Sequence, residues 1–161
     1  MTPEEIYDRY GEKMYHYLAL RLGSPEDAED VLQETFCRLA RYSVRWALVR
    51  SPRAFVFKIL RNEANRFLRR KIGAPRMDIL DPDREIETAP ALAGPDDRIA
   101  ALVSRGLALL PDEQRETVIL KVYQGFSFKE IARVCGLSVN TAGSRYRYGI
   151  DKLRAFLEGK L

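Results

Sequence analysis

The chain contains a single histidine, His16, so no second imidazole exists for a metal pair or an acid–base relay. Its two cysteines, Cys37 and Cys135, are far apart and lack the close Cys or His neighbours of a metal or redox site. They are expected to be buried thiols of a reducing compartment. No uncharged apolar run approaches the ~18 residues that a membrane span requires, so no membrane insertion is expected. The opening Met1-Thr2-Pro3-Glu4-Glu5 is too acidic for a secretory signal, which points to the cytoplasm. Nothing in this inventory assembles a catalytic constellation, and no cofactor or metal is expected.

Apolar residues and charge are plentiful. A hydrophobic share of 46% supports a buried core, a charged share of 31% supports a solvated surface, and 161 residues suffice for one domain or two small ones. The net charge of +4 conceals a segregated pattern. Residues 1–43 hold five basic and nine acidic residues, residues 44–72 nine and one, residues 73–97 two and seven, and residues 98–161 eleven and six. Two basic blocks separated by an acidic connector suggest two contacts with a polyanion, because a field so one-signed destabilises the compact state unless it is used.

The periodicity is helical throughout, with no sustained alternation, which predicts an all-α fold. A first helix is expected from about residue 3 to Gly23, with Ile6, Tyr10, Met14 and Tyr17 at helical spacing. Ser24-Pro25-Glu26-Asp27 starts a second: a capping serine, proline at the first helical position and acids in the first turn. Its core stripe is Ala28, Val31, Leu32, Phe36 and Leu39, and its outward face carries Asp30, Gln33, Glu34 and Arg38. Ser51-Pro52 repeats the start signal for a third helix reaching about residue 72, with Phe57, Leu60, Ala64, Phe67 and Leu68 apolar. Lys58, Asn62, Asn65 and Arg69 share one face of it, flanked by Arg61, Arg66 and Arg70. Cations interleaved with amides offer charge for phosphates and directional groups for bases. The one tryptophan, Trp46, stands between Arg45 and Arg50 just before this helix, either as a core anchor or as a stacking platform.

Residues 73–95, with Pro75, Pro82, Pro90, Pro95, two glycines and many acids, have the composition of a linker. They divide the expected fold into two helical domains, residues 1–72 and 96–161. The second begins with Ile99, Leu102, Val103 and Leu107 on one face. Pro111-Asp112-Glu113 starts another helix, with Val118, Ile119, Val122 and Tyr123 expected in the core and Gln124-Gly125 stopping it.

Then comes "FSFKEIARVCGLSVNTAGSRYRYG". Ser127 with Glu130 fits a capping box, Cys135-Gly136-Leu137 fits a tight turn, and Ser138 caps the next helix. Helix, glycine turn, recapped helix and basic residues together make a helix-turn-helix, whose second helix enters the DNA major groove. A hairpin that binds nothing has the same skeleton. In the second helix Ala142, Tyr146, Ile150, Leu153 and Leu157 point inward, leaving Asn140, Gly143, Ser144, Arg147 and Tyr148 outward. Asparagine and arginine pair bidentately with adenine and guanine edges. Gly143 is then a place where the helix backbone approaches the duplex, whereas Gly149 permits close packing on the preceding helix. Arg145 points between the faces and is expected to bridge back to Glu130 rather than to meet a base.

These residues resemble the bacterial sigma factors of the extracytoplasmic function (ECF) type, and the resemblance covers nearly the whole chain. "DAEDVLQETFCRLAR" (residues 27–41) looks like the family's polymerase-binding helix, and "SPRAFVFKILRNEANRFLRRK" (residues 51–71) like its −10 recognition helix. "LLPDEQRETVILKVYQGFSFKEIARVCGLSVNTAGSRYRYGIDKLR" (residues 109–154) is similar to its −35-binding domain. The resemblance implies that Asp30, Gln33 and Glu34 face the β′ clamp helices of core RNA polymerase and that Trp46 lies near the unpaired −10 bases. Lys58, Arg61, Asn62, Asn65, Arg66, Arg69 and Arg70 would then hold the melted non-template strand. Asn140, Gly143, Ser144, Arg147 and Tyr148 would face the −35 duplex. It further implies the β flap, promoter DNA and an anti-sigma factor as partners. The chain departs from the family at Gly143, Tyr148, Gly149 and Phe67. Two other readings compete: an ordinary helix-turn-helix regulator, which leaves the basic block at residues 44–72 unused, and a sigma mimic that sequesters an anti-sigma factor, which predicts a depleted −10 helix.

Overall fold

A computed structural model describes residues 1–41, 45–72 and 97–161. The acidic connector predicted at residues 73–95 lies outside them. Among the described residues the fold is all-α, with α1 (Pro3–Leu22), α2 (Pro25–Arg41), α3 (Pro52–Ile72), α4 (Asp97–Leu109), α5 (Asp112–Val118), α6 (Phe128–Cys135) and α7 (Val139–Leu157). A 3-10 turn, Trp46–Leu48, precedes α3, and a π turn, Ile119–Tyr123, follows α5.

The helix starts are set by side-chain caps. Ser24, Ser51 and Ser138 accept from the backbone N–H three residues on, at 3.3, 3.3 and 3.1 Å. Ser127 and Glu130 form the reciprocal capping box, and Thr2 with Glu5 forms another at the head of α1. Each such cap contributes about 1 kcal/mol by satisfying donors that the first turn leaves orphaned. Gly136 ends α6 at φ 69°, a left-handed conformation that glycine adopts without a Cβ penalty.

α1, α2 and α3 pack on one another, and α7 packs on α4, α5 and α6. The two sets are not separate bodies: α3 packs on α6, α1 packs on α4 and α5, and the buried apolar residues form one cluster. Phe57 of α3 sits at its centre, edge-on to Tyr17 (5.8 Å) and to Phe126 (5.2 Å), which belongs to the turn entering α6. The predicted stripes of α1, α2 and α3 all contribute, with Ile6, Met14, Ala28, Val31, Leu39, Leu60 and Ala64 buried.

Three expectations are corrected. Val122 and Tyr123 are 54% and 37% exposed, and Leu120 is buried instead. The π turn is the reason: Gln124 N–H donates to the Ile119 carbonyl at 3.2 Å, and the extra residue in that turn rotates the following side chains off the core. Ile99, in the first turn of α4, is exposed while Leu107 is buried. Cys37 is exposed, being off the Ala28–Val31–Leu39 stripe of α2, and Cys135 is half-buried.

Arg115 closes the α4–α5 corner. Its guanidinium donates to the carbonyls of Leu107, Ala108 and Leu110 at 2.8, 3.0 and 2.8 Å, and to that of Arg21 at 3.3 Å. One side chain thereby satisfies orphan carbonyls at the ends of α4 and α1.

Candidate nucleic-acid interface

The outward face of α7 is positioned by its inward one. Ala142 and Gly149 are buried, and Tyr146 stacks edge-on against Phe128 at 5.5 Å. A Cβ on Gly149 would lie 2.8 Å from Val118 Cγ2 and 3.3 Å from the Gln114 carbonyl, so the glycine sets how closely α7 approaches α5. The partner is α5, not the preceding helix α6. On the opposite side Asn140, Arg147 and Tyr148 are exposed, Tyr148 by 63%, and Ser144 and Gly143 are half-exposed. Arg147 Nη2 donates to Ser144 Oγ at 3.2 Å, which brings two of the predicted residues together.

Gly143 differs from Gly149. A Cβ there would meet only Arg147 Nη1, at 3.8 Å. The fold therefore has no packing use for this glycine. Gly143→Ala is expected to raise stability by about 1 kcal/mol, the interior helix cost of glycine. Urea unfolding measures it, and an unchanged or lower midpoint would mean that the backbone is strained there in a way that alanine aggravates.

Arg145 does not bridge to Glu130. It reaches Glu113 of α5 at 3.5 Å. Glu130 is already occupied, accepting from Ser127 N–H at 3.2 Å and from Arg53 of α3 at 2.9 Å, which hold its pKa below the ordinary carboxylate value despite partial desolvation.

The predicted residues of α3 fall into two groups. Lys58, Asn62, Arg69 and Arg70 are exposed; Arg69 Nε lies 3.4 Å from the Asn65 carbonyl, and half-buried Arg66 is 3.8 Å from Glu63. Glu63, the one acid of the basic block, is buried beneath Arg38 of α2. Trp46 is half-buried and edge-on to Phe55 at 5.5 Å, so its ring is packed on the fold rather than presented as a free platform. Arg61 and Asn65, by contrast, are engaged within the fold, Arg61 by α5 and Asn65 by α1. Arg61 Nε donates to Glu116 of α5, and Asn65 Oδ1 accepts from Arg21 Nη2 at 2.6 Å. Asp30, Gln33 and Glu34 are exposed on α2, as predicted from its periodicity.

Sequence reasoning missed the group that joins these elements. Arg21, whose side chain is 1% exposed, meets Asp112 Oδ2 at 3.0 Å, Glu116 Oε2 at 3.2 Å and the Tyr17 hydroxyl at 3.0 Å. Burial alone would lower the pKa of Arg21; Tyr17, Glu116 and Asp112 outweigh it and raise it. Burial likewise opposes ionisation of Asp112, and Arg21 overcomes it to bring that carboxyl below its usual value. Cys135 Sγ donates to Glu116 Oε1 at 3.0 Å, and burial with that carboxylate pushes the thiol up, away from the reactive thiolate. No local signal marks Arg21, because its carboxylate partners lie some ninety positions on, 91 in the case of Asp112. Among the described residues no group of three or more His, Cys, Asp or Glu is placed to hold a metal, and no helix is long and apolar enough to cross a membrane.

Residues 6–72 match the family described as Sigma-70 region 2, and residues 101–153 match Sigma-70, region 4. The RNA polymerase sigma factor CarQ of Myxococcus xanthus is 31% identical over 157 residues, covering 96% of this chain and 88% of CarQ. The ECF RNA polymerase sigma factor SigL of Mycobacterium tuberculosis is 31% identical over 159 residues, covering 95% of this chain and 87% of SigL. The chain belongs to the ECF sigma factors. SigE of Mycolicibacterium smegmatis is 33% identical over 96% of this sigma factor, which spans only 61% of SigE. The fold of the sigma factor is shared with RpoE of Bartonella quintana, solved in complex with the anti-sigma factor NepR, at TM-score 0.73, 22% identity and 98% coverage of both chains. The family acts in promoter-directed initiation by RNA polymerase and is not catalytic.

Proposed function

We propose that this sigma factor binds core RNA polymerase in the cytoplasm, brings it to promoters by contacting −35 and −10 elements, and captures the melted non-template strand. The division of labour follows the chain: residues 1–72 for polymerase and the −10 element, residues 96–161 for the −35 element and the β flap, and residues 73–95 joining them. Asp30, Gln33 and Glu34 present an acidic and amide face to the β′ clamp helices. Lys58, Arg61, Asn62, Asn65, Arg66, Arg69 and Arg70 line the strand-holding helix, with Trp46 at its head. Asn140, Ser144, Arg147 and Tyr148 read the −35 duplex around the gap at Gly143. An anti-sigma factor is a further partner, by analogy with RpoE held by NepR.

The observation that carries this reading is the outward face of α7, where Asn140, Arg147 and Tyr148 are exposed and Ser144 half-exposed, opposite the buried Ala142 and Gly149. Run-off transcription from a genomic fragment library with purified core polymerase tests it directly, and a chain that yields no start sites would refute it. Within that assay, Arg147→Ala should weaken −35 discrimination by about 1–3 kcal/mol, the worth of one bidentate base contact. An unchanged promoter profile would remove Arg147 from the reading set.

A further inference from the structure

Arg147 is exposed on α7, yet its side chain does not stand out into water. Nη2 donates to the Ser144 hydroxyl at 3.2 Å, and Nη1 lies 3.8 Å from the point where a Cβ would stand on Gly143. The guanidinium therefore lies back over the preceding turn of the helix. A rival partner is near. Asp151 is exposed one turn the other way, and among the described residues it forms no ion pair with Arg147. Two effects favour the backward path. Side chains on a helix lean toward its N-terminus, which carries a long arginine over the residues three and four before it. A cation placed four residues ahead of an acid is also the weaker order for a helical ion pair.

Gly143 is what leaves that path open. A single methyl group there would be in ordinary contact with Nη1, but a longer side chain would project from the same face into the space the guanidinium fills. Ser144 then limits the rotation of the head. One bond to its hydroxyl leaves the remaining N–H donors of the planar fork free for a base edge. Ordering a long, freely rotating side chain at an interface weakens binding by about 2- to 12-fold, and a side chain already tethered has lost part of that freedom beforehand. The backward lean also delivers the guanidinium about 6 Å nearer the start of α7 than its own Cα. That is the end through which the second helix of a helix-turn-helix meets base edges.

Resting on the −35 reading proposed above, we infer that Ser144 takes part in it as the positioning residue of Arg147, and that Gly143 determines specificity by providing the slot in which the Arg147 guanidinium is held. Asn140, Gly143, Ser144, Arg147 and Tyr148 are then not five independent readers. Three of them form one device, with a single guanidinium as its contact to the duplex.

Holoenzyme reconstituted from core polymerase and each full-length variant, selecting start sites from templates randomised across the −35 element, tests this. Arg147→Ala should flatten base preference at one base pair by about 5- to 150-fold, the worth of one bidentate contact. Ser144→Ala should flatten preference at that same pair, and at no other, by about 2- to 12-fold. Once Arg147 is alanine, adding Ser144→Ala should change nothing further, because the two residues act as one. Gly143→Leu, which fills the slot, should likewise act on that pair alone. Suppose instead that Ser144→Ala leaves the Arg147 pair intact, alters a different pair, or adds to the effect of Arg147→Ala. Ser144 is then an independent group, and the tether is overturned. A Gly143→Leu chain that keeps the preference, or loses it evenly across the element, overturns the slot. In each of these cases Arg147→Ala still marks its base pair and the −35 reading stands. An Arg147→Ala profile identical to the parent's is a different outcome, which overturns that reading and the tether with it.

Discussion

Exchange of Phe57 for alanine is expected to destabilise the chain by about 3–5 kcal/mol, the cost of a large cavity at a site that cannot collapse. Phe57 is fully buried, and its ring is held edge-on by Tyr17 of α1 on one side and Phe126 on the other. Neither neighbour can follow a shrinking side chain, because Tyr17 is tied through its hydroxyl to Arg21 and Phe126 lies under the Arg53 guanidinium. Since a typical domain is stable by only 5–15 kcal/mol, the loss should bring unfolding close to ordinary temperatures. Urea denaturation followed by circular dichroism measures it. A change below about 1 kcal/mol would mean that the two sets of helices do not share this core in solution.

The second large effect is functional. Arg69→Ala with Arg70→Ala should reduce promoter-dependent run-off by about 100-fold or more, while affinity for core polymerase is kept, on the basis of roughly 1.5–3 kcal/mol per lost charge-assisted strand contact. Both side chains are exposed at the C-terminal end of α3, so stability should change by no more than about 0.5 kcal/mol. The salt dependence of strand binding supplies an independent check. Two lost phosphate contacts should flatten the plot of log K against log salt by about 1.4. Full transcription with an unchanged slope would remove the strand-holding role from this end of α3.

Local chemistry was legible in the amino-acid order. Ser24-Pro25, Ser51-Pro52, Ser127 with Glu130, and Ser138 all cap helices, because a cap is settled within three residues of itself. The outward placement of Asn140, Arg147 and Tyr148 followed from helical spacing alone. Competition between partners in space was not legible. Arg145 had Glu130 and Glu113 both within plausible reach, and Glu130 was claimed by Arg53, a residue of another helix 77 positions away. The single extra residue of the π turn, invisible to a period-3.6 reading, turned Val122 and Tyr123 outward. Closure of the two halves on each other was hidden for the same reason as the Arg21 cluster. Arg61 of the basic block and the carboxylates of α5 lie more than fifty positions apart, and only the fold brings them together.

The contrast between Gly143 and Gly149 reaches beyond a single molecule. One face of α7 is bound by tight tolerances, with Gly149 admitting no added methyl group beside Val118, whereas the other carries side chains on which no packing depends. After gene duplication, a daughter copy can rewrite positions 140, 143, 144, 147 and 148 by ordinary point substitution while its scaffold stays intact. If these positions read the −35 element as proposed, regulons of paralogues can diverge along a path with no stability barrier.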